Sequence, residues 1–251
     1  MNLKRHCISL VLALGFVSLA VCGQETSIAV ASNFSAPMQK LVSTFQDASG
    51  HHIKVSSGAT GKFYSQIQNG APFDILLSAD QETPERIENE KSGIAHTRFT
   101  YATGVLGLWS AREGFVDSKG EVLRNASFHH VAIADPKLAP YGQAAAQTLQ
   151  ALGLTDKLKS KLVQGENIGQ TFQFVASANA ELGFIALSQV FLDGKLKDGS
   201  AWIVPSDLYR PLHQDAILLN AGKDNPAAKA FLAFLKTDKA KRIMQAYGYQ
   251  F

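Results

Sequence analysis

Cysteine is nearly missing from this 251-residue chain: there are two, Cys7 and Cys22, and both lie in the first 23 residues. Once that segment is set aside, no disulfide, thiolate metal site or cysteine nucleophile is available. A surplus of charge is missing too. Of the 24 Lys and Arg, Lys4 and Arg5 fall in the same segment, which leaves 22 against 21 acidic residues. So even a balance gives no electrostatic case for nucleic acid or an anionic membrane. There is no long apolar span. Ile8 to Ala20 is the one apolar stretch near the N-terminus, it is broken by Ser9, Gly15 and Ser18, and it is too short for an ordinary transmembrane helix. Internal repeats, low-complexity tracts and long Pro/Ser linkers are also lacking.

What the N-terminus does carry is Lys4, Arg5 and His6, then the apolar run, then small residues up to Gly23. This is the layout of a secretory signal peptide over residues 1–23, with cleavage after Cys22 or Gly23 and export to the periplasm. Leu19-Ala20-Val21-Cys22 also resembles a lipoprotein site, so a lipid anchor on Cys22 is the competing expectation. At 46% hydrophobic, the remainder can bury one large α/β core or two small ones.

The stretch "SSGATGKF", Ser56 to Phe63, has the outline of a nucleotide loop. The pattern G-x-x-x-x-G-K-[ST] fails where it requires glycine, at Ser56, and where it requires a hydroxyl, at Phe63. The surviving physics is a strand running into a small-residue turn and a helix starting near Gly61. The first amides of a helix have no internal partner and its dipole favours negative charge, so the turn is an anion seat of some kind.

Short apolar runs alternate with helical patterns along the chain. "TSIAVAS", "HIKVSS" and "FDILLSA" read as strands. The helices between them begin at a Ser35 cap, near Gly61 and in "PERIENEKSG". The pattern restarts with the strands "TGVLGLWS", "HVAIADP", "KLVQG", "LGFIAL" and "AWIVP" and the helices "YGQAAAQTLQALG" and "IGQTFQFVASANA". After "RPLHQDAILLN", two helices with apolar stripes close the chain. Such alternation implies α/β lobes built on mostly parallel sheets. The final helices are expected to return to the first lobe. That gives lobe 1 as residues 24–103 and 212–251 and lobe 2 as 104–211, with hinge crossovers near 101–105 and 205–212.

Four strand-to-helix turns share a chemistry. "AVASNFSAP" offers Ser32 and Asn33, and "SSGATGK" offers Ser57, Thr60, Gly61 and Lys62. "ADPKLAPYGQAA" offers Tyr141 and Gly142, and "QGENIGQTF" the amides around Ile168. In open α/β sheets ligands sit beyond the carboxyl ends of the strands, so these turns can converge. They present hydroxyls, one amide side chain, backbone N–H groups, a single lysine and no arginine. Neutral donors and helix dipoles suit a small, fully ionised oxyanion, and they disfavour a protonated one, which needs an acceptor.

The motifs "AVASNFSAPM", "SSGATGKFYSQIQNGAPFDILLSAD", "ADPKLAPYGQAA", "LGFIALSQV" and "KAKRIMQAYGYQF" together resemble the periplasmic molybdate-binding proteins of ABC transporters, over essentially all of residues 26 to 251. The resemblance implies a type II periplasmic binding-protein fold, two similar α/β lobes joined by two hinge crossovers, and no cofactor or enzymatic activity. It implies molybdate or tungstate as ligand, a membrane permease as partner, and a monomer. Transferred by motif, the contacts to the anion oxygens are Ser32, Asn33, Thr60 and the amides of Tyr141 and Ile168, with Gly61, Lys62 and Gly142 as further candidates. None of these ligates the metal directly. Some family members carry a ligand-binding tyrosine where this chain has Ala186, and Asn33 is the expected replacement donor.

Plainer readings stand beside these. Ser32 and Asn33 can merely cap a helix, and Lys62 can be solvated or ion-paired. His51-His52 and His129-His130 precede strands, where neighbouring side chains diverge, so a surface role outweighs a metal site. Asp74 and Asp80 have no partner that suggests catalysis. A receptor for sulfate or phosphate is the nearest alternative. A secreted hydrolase using Ser32 or Ser57 lacks the G-x-S-x-G elbow.

Overall fold

The computed structural model describes residues 23–251. The expected signal peptide and the possible anchor at Cys22 lie outside the described residues. In chain order the elements are β1 (Glu25–Ala31), α1 (Ser35–Ser49), β2 (His52–Gly58), α2 (Thr60–Gln68), β3 (Ile75–Leu77), α3 (Glu82–Asn89), β4 (Phe99–Gly104) and β5 (Leu106–Ser110). Then come α4 (Val122–Asn125), β6 (Val131–Ala134), α5 (Pro140–Ala151), α6 (Thr155–Leu158), β7 (Leu162–Gly165), α7 (Ile168–Ala176) and β8 (Leu182–Ala186). A small hairpin, β9 (Phe191–Leu192) and β10 (Lys195–Leu196), precedes β11 (Ser200–Ile203) and β12 (Leu212–Leu218), and α8 (Pro226–Leu235) and α9 (Asp238–Ala246) follow.

Two five-stranded sheets result, in the orders β2-β1-β3-β12-β4 and β11-β5-β8-β6-β7. Helices pack on each, giving two α/β lobes. Both sheets are mostly parallel, as expected, but each holds one reversed strand. In the first, β1 is parallel to β2 and β3, but β12 runs antiparallel to β3 and β4. In the second, β6 is parallel to β7 and β8, but β5 is antiparallel to β8 and β11. The strands that enter from a crossover are those that run against the rest. "TGVLGLWS" is likewise not one strand. It breaks at Val105, because β4 belongs to the first sheet and β5 to the second.

The first core gathers Ile28, Val30, Phe34, Met38, Leu41 and Phe45 with Phe231, Leu235 and Met244 of α8 and α9. Each fully buried side chain of this kind contributes about 1.5–3 kcal/mol relative to exposure. Phe34 meets Tyr101 and Tyr249 edge-on, at centroid distances of 4.9 and 5.2 Å. The second core is built on Leu108, Val131, Ile133, Leu149, Leu182 and Phe184. Gly50 ends α1 in the left-handed region at φ 70°, a conformation that costs other residues more. Ser35 is the first residue of α1 and not its cap. A single 3-10 turn, Ser32–Phe34, comes before it, and the Ser35 hydroxyl lies 2.7 Å from that of Ser57.

The chain passes between the sheets twice, at Val105 and through residues 204–211. These passages are bound to each other: Leu212 pairs with Gly104, the Val204 N–H donates to the Leu106 carbonyl at 3.0 Å, and the Leu106 N–H donates to the Tyr209 hydroxyl at 3.2 Å.

A candidate anion site between the lobes

The parallel strands β1, β2, β6 and β7 end against a common space. It is lined by Ala31, Ser32 and Asn33 after β1, by Gly58, Ala59 and Thr60 after β2, and by Ala79. The other lobe contributes Ala139, Pro140, Tyr141, Asn167 and Ile168. The gap between these atoms is about 190 Å³. Ser32, Asn33, Thr60, Tyr141 and Ile168, which the sequence brought forward separately, therefore meet at one place. No charged side chain lines it.

Four helical N-termini point into this space. Ser32 opens the 3-10 turn that leads into α1, Thr60 is the first residue of α2, Tyr141 lies in the first turn of α5, and Ile168 is the first residue of α7. First-turn amides lack an intrahelical acceptor, and together with the dipoles they make the cavity electropositive without a formal charge. The Thr60 hydroxyl accepts the Ala79 N–H at 3.2 Å, so its own proton is available to the cavity. The Ser32 hydroxyl spans the lobes. It donates to Asn167 Oδ1 at 3.1 Å and accepts the Gly169 N–H at 3.1 Å.

The three further candidates fall elsewhere. The Gly61 amide is taken by the Leu138 carbonyl of the other lobe, at 2.9 Å. Gly142 donates to the Ala139 carbonyl, and a Cβ there would sit 2.3 Å from the Ala134 carbonyl oxygen. It is a close-approach glycine between helix and strand. Lys62 is ion-paired with Glu166 across the cleft, both about half exposed.

Behind the cavity lies a buried polar cluster that carries no local sequence signature. Asn33 Nδ2 is 3.0 Å from Gln214 Oε1 and 2.9 Å from the Tyr249 hydroxyl. The Tyr101 hydroxyl is 3.0 Å from both the Ser78 carbonyl and Gln214 Oε1. Gln214 Nε2 is 3.2 Å from the Tyr141 hydroxyl. Ser188 donates to the Asn33 carbonyl at 2.7 Å. Burial pushes the Tyr101, Tyr141 and Tyr249 phenols up from their ordinary value, so all three remain neutral hydroxyls. In this orientation the Asn33 NH₂ is taken by Gln214 and Tyr249, and Asn33 Oδ1 is buried with no partner. The side-chain donor expected from Asn33 is not presented as placed.

The remaining polar residues have structural partners. Asp74 accepts the Ser27 N–H at 2.7 Å and the Thr26 hydroxyl at 3.0 Å. Asp80, pushed up by burial, accepts the Thr83 N–H at 2.9 Å in the first turn of α3. His51 Nδ1 accepts the Gln24 backbone N–H, and the backbone N–H groups of His129 and His130 donate to the Glu181 carboxylate. Asn167, which sequence reasoning passed over, caps α7 by accepting the Gln170 N–H at 3.0 Å. An Asn directly before a helical pattern is the signal that could have found it.

Two lobes around an uncharged, donor-rich cavity define a class, the extracytoplasmic binding proteins. The chain belongs to the bacterial extracellular solute-binding protein family, whose model matches residues 26–250. It is a binding protein and not an enzyme. Among relatives, it is 56% identical over 242 residues to molybdate-binding protein ModA of Azotobacter vinelandii, covering 96% of each chain. It is 46% identical to ModA of Rhodobacter capsulatus, over 99% of this chain and 96% of that one. A solved periplasmic molybdate-binding protein from Azotobacter vinelandii superposes with a TM-score of 0.88 at 38% identity, over 90% of this chain and 99% of that one.

Proposed function

We propose that this chain captures molybdate, and tungstate equally, in the interlobe cavity and delivers it in the periplasm to the membrane permease of an ABC importer. The observation that carries the reading is the convergence of Ser32, Asn33, Thr60, Tyr141 and Ile168 on one cavity lined by no charged residue. The lobes are residues 24–103 with 212–251, and 104–211. The ligand oxygens take hydroxyl and backbone donors from both lobes, and the metal is never ligated directly. No cofactor is needed, and the protein acts as a monomer. A hydrogen bond to a charged group contributes about 1.5–3 kcal/mol net, so all five give about 7–15 kcal/mol before closure costs, a total that requires the Ser32 hydroxyl to turn from Asn167 and Asn33 to present its NH₂, against about 8 kcal/mol for micromolar binding. Sulfate presents the same tetrahedron in a smaller size and reaches fewer donors at once.

Calorimetry of the mature protein with molybdate, tungstate, sulfate and phosphate tests this. Molybdate and tungstate are expected to bind with similar affinity, and sulfate at least a hundredfold more weakly. Tighter binding of sulfate or phosphate removes the proposal.

A further inference from the structure

The buried cluster behind the cavity does not balance as placed. Tyr101 has one hydroxyl proton but two acceptors at 3.0 Å, the Ser78 carbonyl and Gln214 Oε1. The Tyr141 hydroxyl receives Gln214 Nε2, and its own proton meets no carbonyl or carboxamide oxygen, only the neighbouring Tyr249 hydroxyl. Asn33 Oδ1 is buried without a partner. The oxygen and nitrogen of a side-chain amide are nearly isosteric, so hydrogen-bond supply and demand decide which is which.

Exchanging oxygen and nitrogen on Gln214 and Asn33 together relieves the first two and turns the third from an unpartnered acceptor into a donor that a bound anion can take. Tyr101 then donates to Ser78 and accepts from Gln214 Nε2. Tyr141 donates to Gln214 Oε1. Asn33 Oδ1 accepts from Gln214 Nε2 and from the Tyr249 hydroxyl, whose one proton then leaves the Asn33 carbonyl at 3.1 Å, an acceptor that keeps the Ser188 hydroxyl at 2.7 Å. The Asn33 NH₂ takes the place of the unpartnered oxygen, on a residue that lines the cavity. Exchanging one amide alone would set like groups against each other.

We infer that Gln214 is a specificity-determining positioning residue: its amide, fixed by Tyr101 in one lobe and Tyr141 in the other, turns the Asn33 side chain so that a donor and not an acceptor faces the anion. The inference rests on the oxyanion reading above. An acceptor at that point would welcome the proton of hydrogen phosphate and repel a bare oxygen. A donor does the reverse, so the orientation selects fully ionised tetrahedral anions. Gly104 makes the contact possible, since a Cβ there would lie 2.1 Å from the Tyr141 hydroxyl and 2.4 Å from Gln214 Nε2. Gln214 is fully buried on β12 beside the crossover.

The test combines two measurements on the full mature protein. In nitrogen-15 NMR of the wild type, the Asn33 side-chain NH₂ pair should shift on titration with sodium molybdate. By calorimetry, Gln214→Glu, which offers only acceptors when ionised, should draw the Asn33 NH₂ back. It should weaken molybdate at least thirtyfold while the ratio of hydrogen phosphate to molybdate affinity rises, and a purely structural residue would not move that ratio. A wild type that binds molybdate with an unmoved Asn33 NH₂ overturns the inference and leaves the function standing. So does a folded Q214E protein with wild-type selectivity. A wild type that binds no oxyanion overturns both. Should Q214E fail to fold, Gln214→Met, which keeps the length and removes the amide, takes its place in the same selectivity measurement.

Discussion

The Ser32 hydroxyl of the first lobe donates a 3.1 Å hydrogen bond to Asn167 Oδ1 of the second. The same carboxamide oxygen caps α7 through the Gln170 N–H, so one atom both orders the helix that carries the Ile168 amide and holds the lobes together. Asn167→Ala removes both functions. The expected result is a helix-cap loss of about 0.5–2 kcal/mol and molybdate affinity weakened roughly tenfold, because the bound state must then be closed without that contact. Small-angle scattering should show a larger radius of gyration at a given ligand concentration. Unchanged scattering and affinity would mean the contact is incidental to closure.

Thr60 differs from Ser32 in having its proton uncommitted while its oxygen takes the Ala79 N–H. Thr60→Ser should bind nearly as the wild type does. Thr60→Ala should lose about 1.5–3 kcal/mol, or ten- to a hundredfold in Kd by calorimetry. Equal losses in the two variants would point to the methyl group and packing instead of the hydroxyl.

Lys62 of the first lobe and Glu166 of the second form an ion pair, each about half exposed. Exposed pairs contribute about 0–1 kcal/mol and are screened by salt. Lys62→Ala is therefore expected to change molybdate affinity less than fivefold, with the difference shrinking at 0.5 M salt. A loss as large as that of Thr60→Ala would make Lys62 a direct counter-charge and the neutral-donor account untenable.

Glu181 is pulled both ways. Burial raises its pKa, but the N–H groups of His130 and His129 outweigh that and hold it below the usual carboxylate value. A folded pKa below the unfolded one gives stability that is present above about pH 4.5 and lost as pH falls through the folded value. Glu181→Gln should lower Tm at pH 7 by about 2–4 °C, the equivalent of one ordinary hydrogen bond in a chain of this size. The gap to the wild type should close on acidification. A gap that stays constant with pH would assign the loss to packing.

Local chemistry was the legible part. Ser32, Asn33, Thr60, Tyr141 and Ile168 each stand at a strand-to-helix turn, and a turn that ends a parallel strand announces itself through small residues and a following helical period. The illegible parts depend on partners far away in the chain. Nothing around Gln214 or Tyr249 indicates that they meet at Asn33, since their separations from it are 181 and 216 residues. Periodicity also says nothing about which sheet a strand joins, so the break at Val105 and the antiparallel entry of β5 and β12 could not be read. Gly61 and Gly142 looked like anion amides because glycine serves both phosphate approach and tight packing. Only the Leu138 and Ala134 backbones decide for the second.

The two crossovers leave from neighbouring, mutually bonded strands, β4 and β12, and are stitched again through Val204, Leu106 and Tyr209. Mechanically this is a double-ply strap. A single tether would allow the lobes to swivel, slide and twist. Two plies joined along their edge leave one easy freedom, a bend about the line across both. Closure then follows nearly one path, and the hydroxyls of one jaw meet the amides of the other in a single registration each time. If the cavity holds an oxyanion as proposed, the strap does the orientational search that its donors would otherwise require.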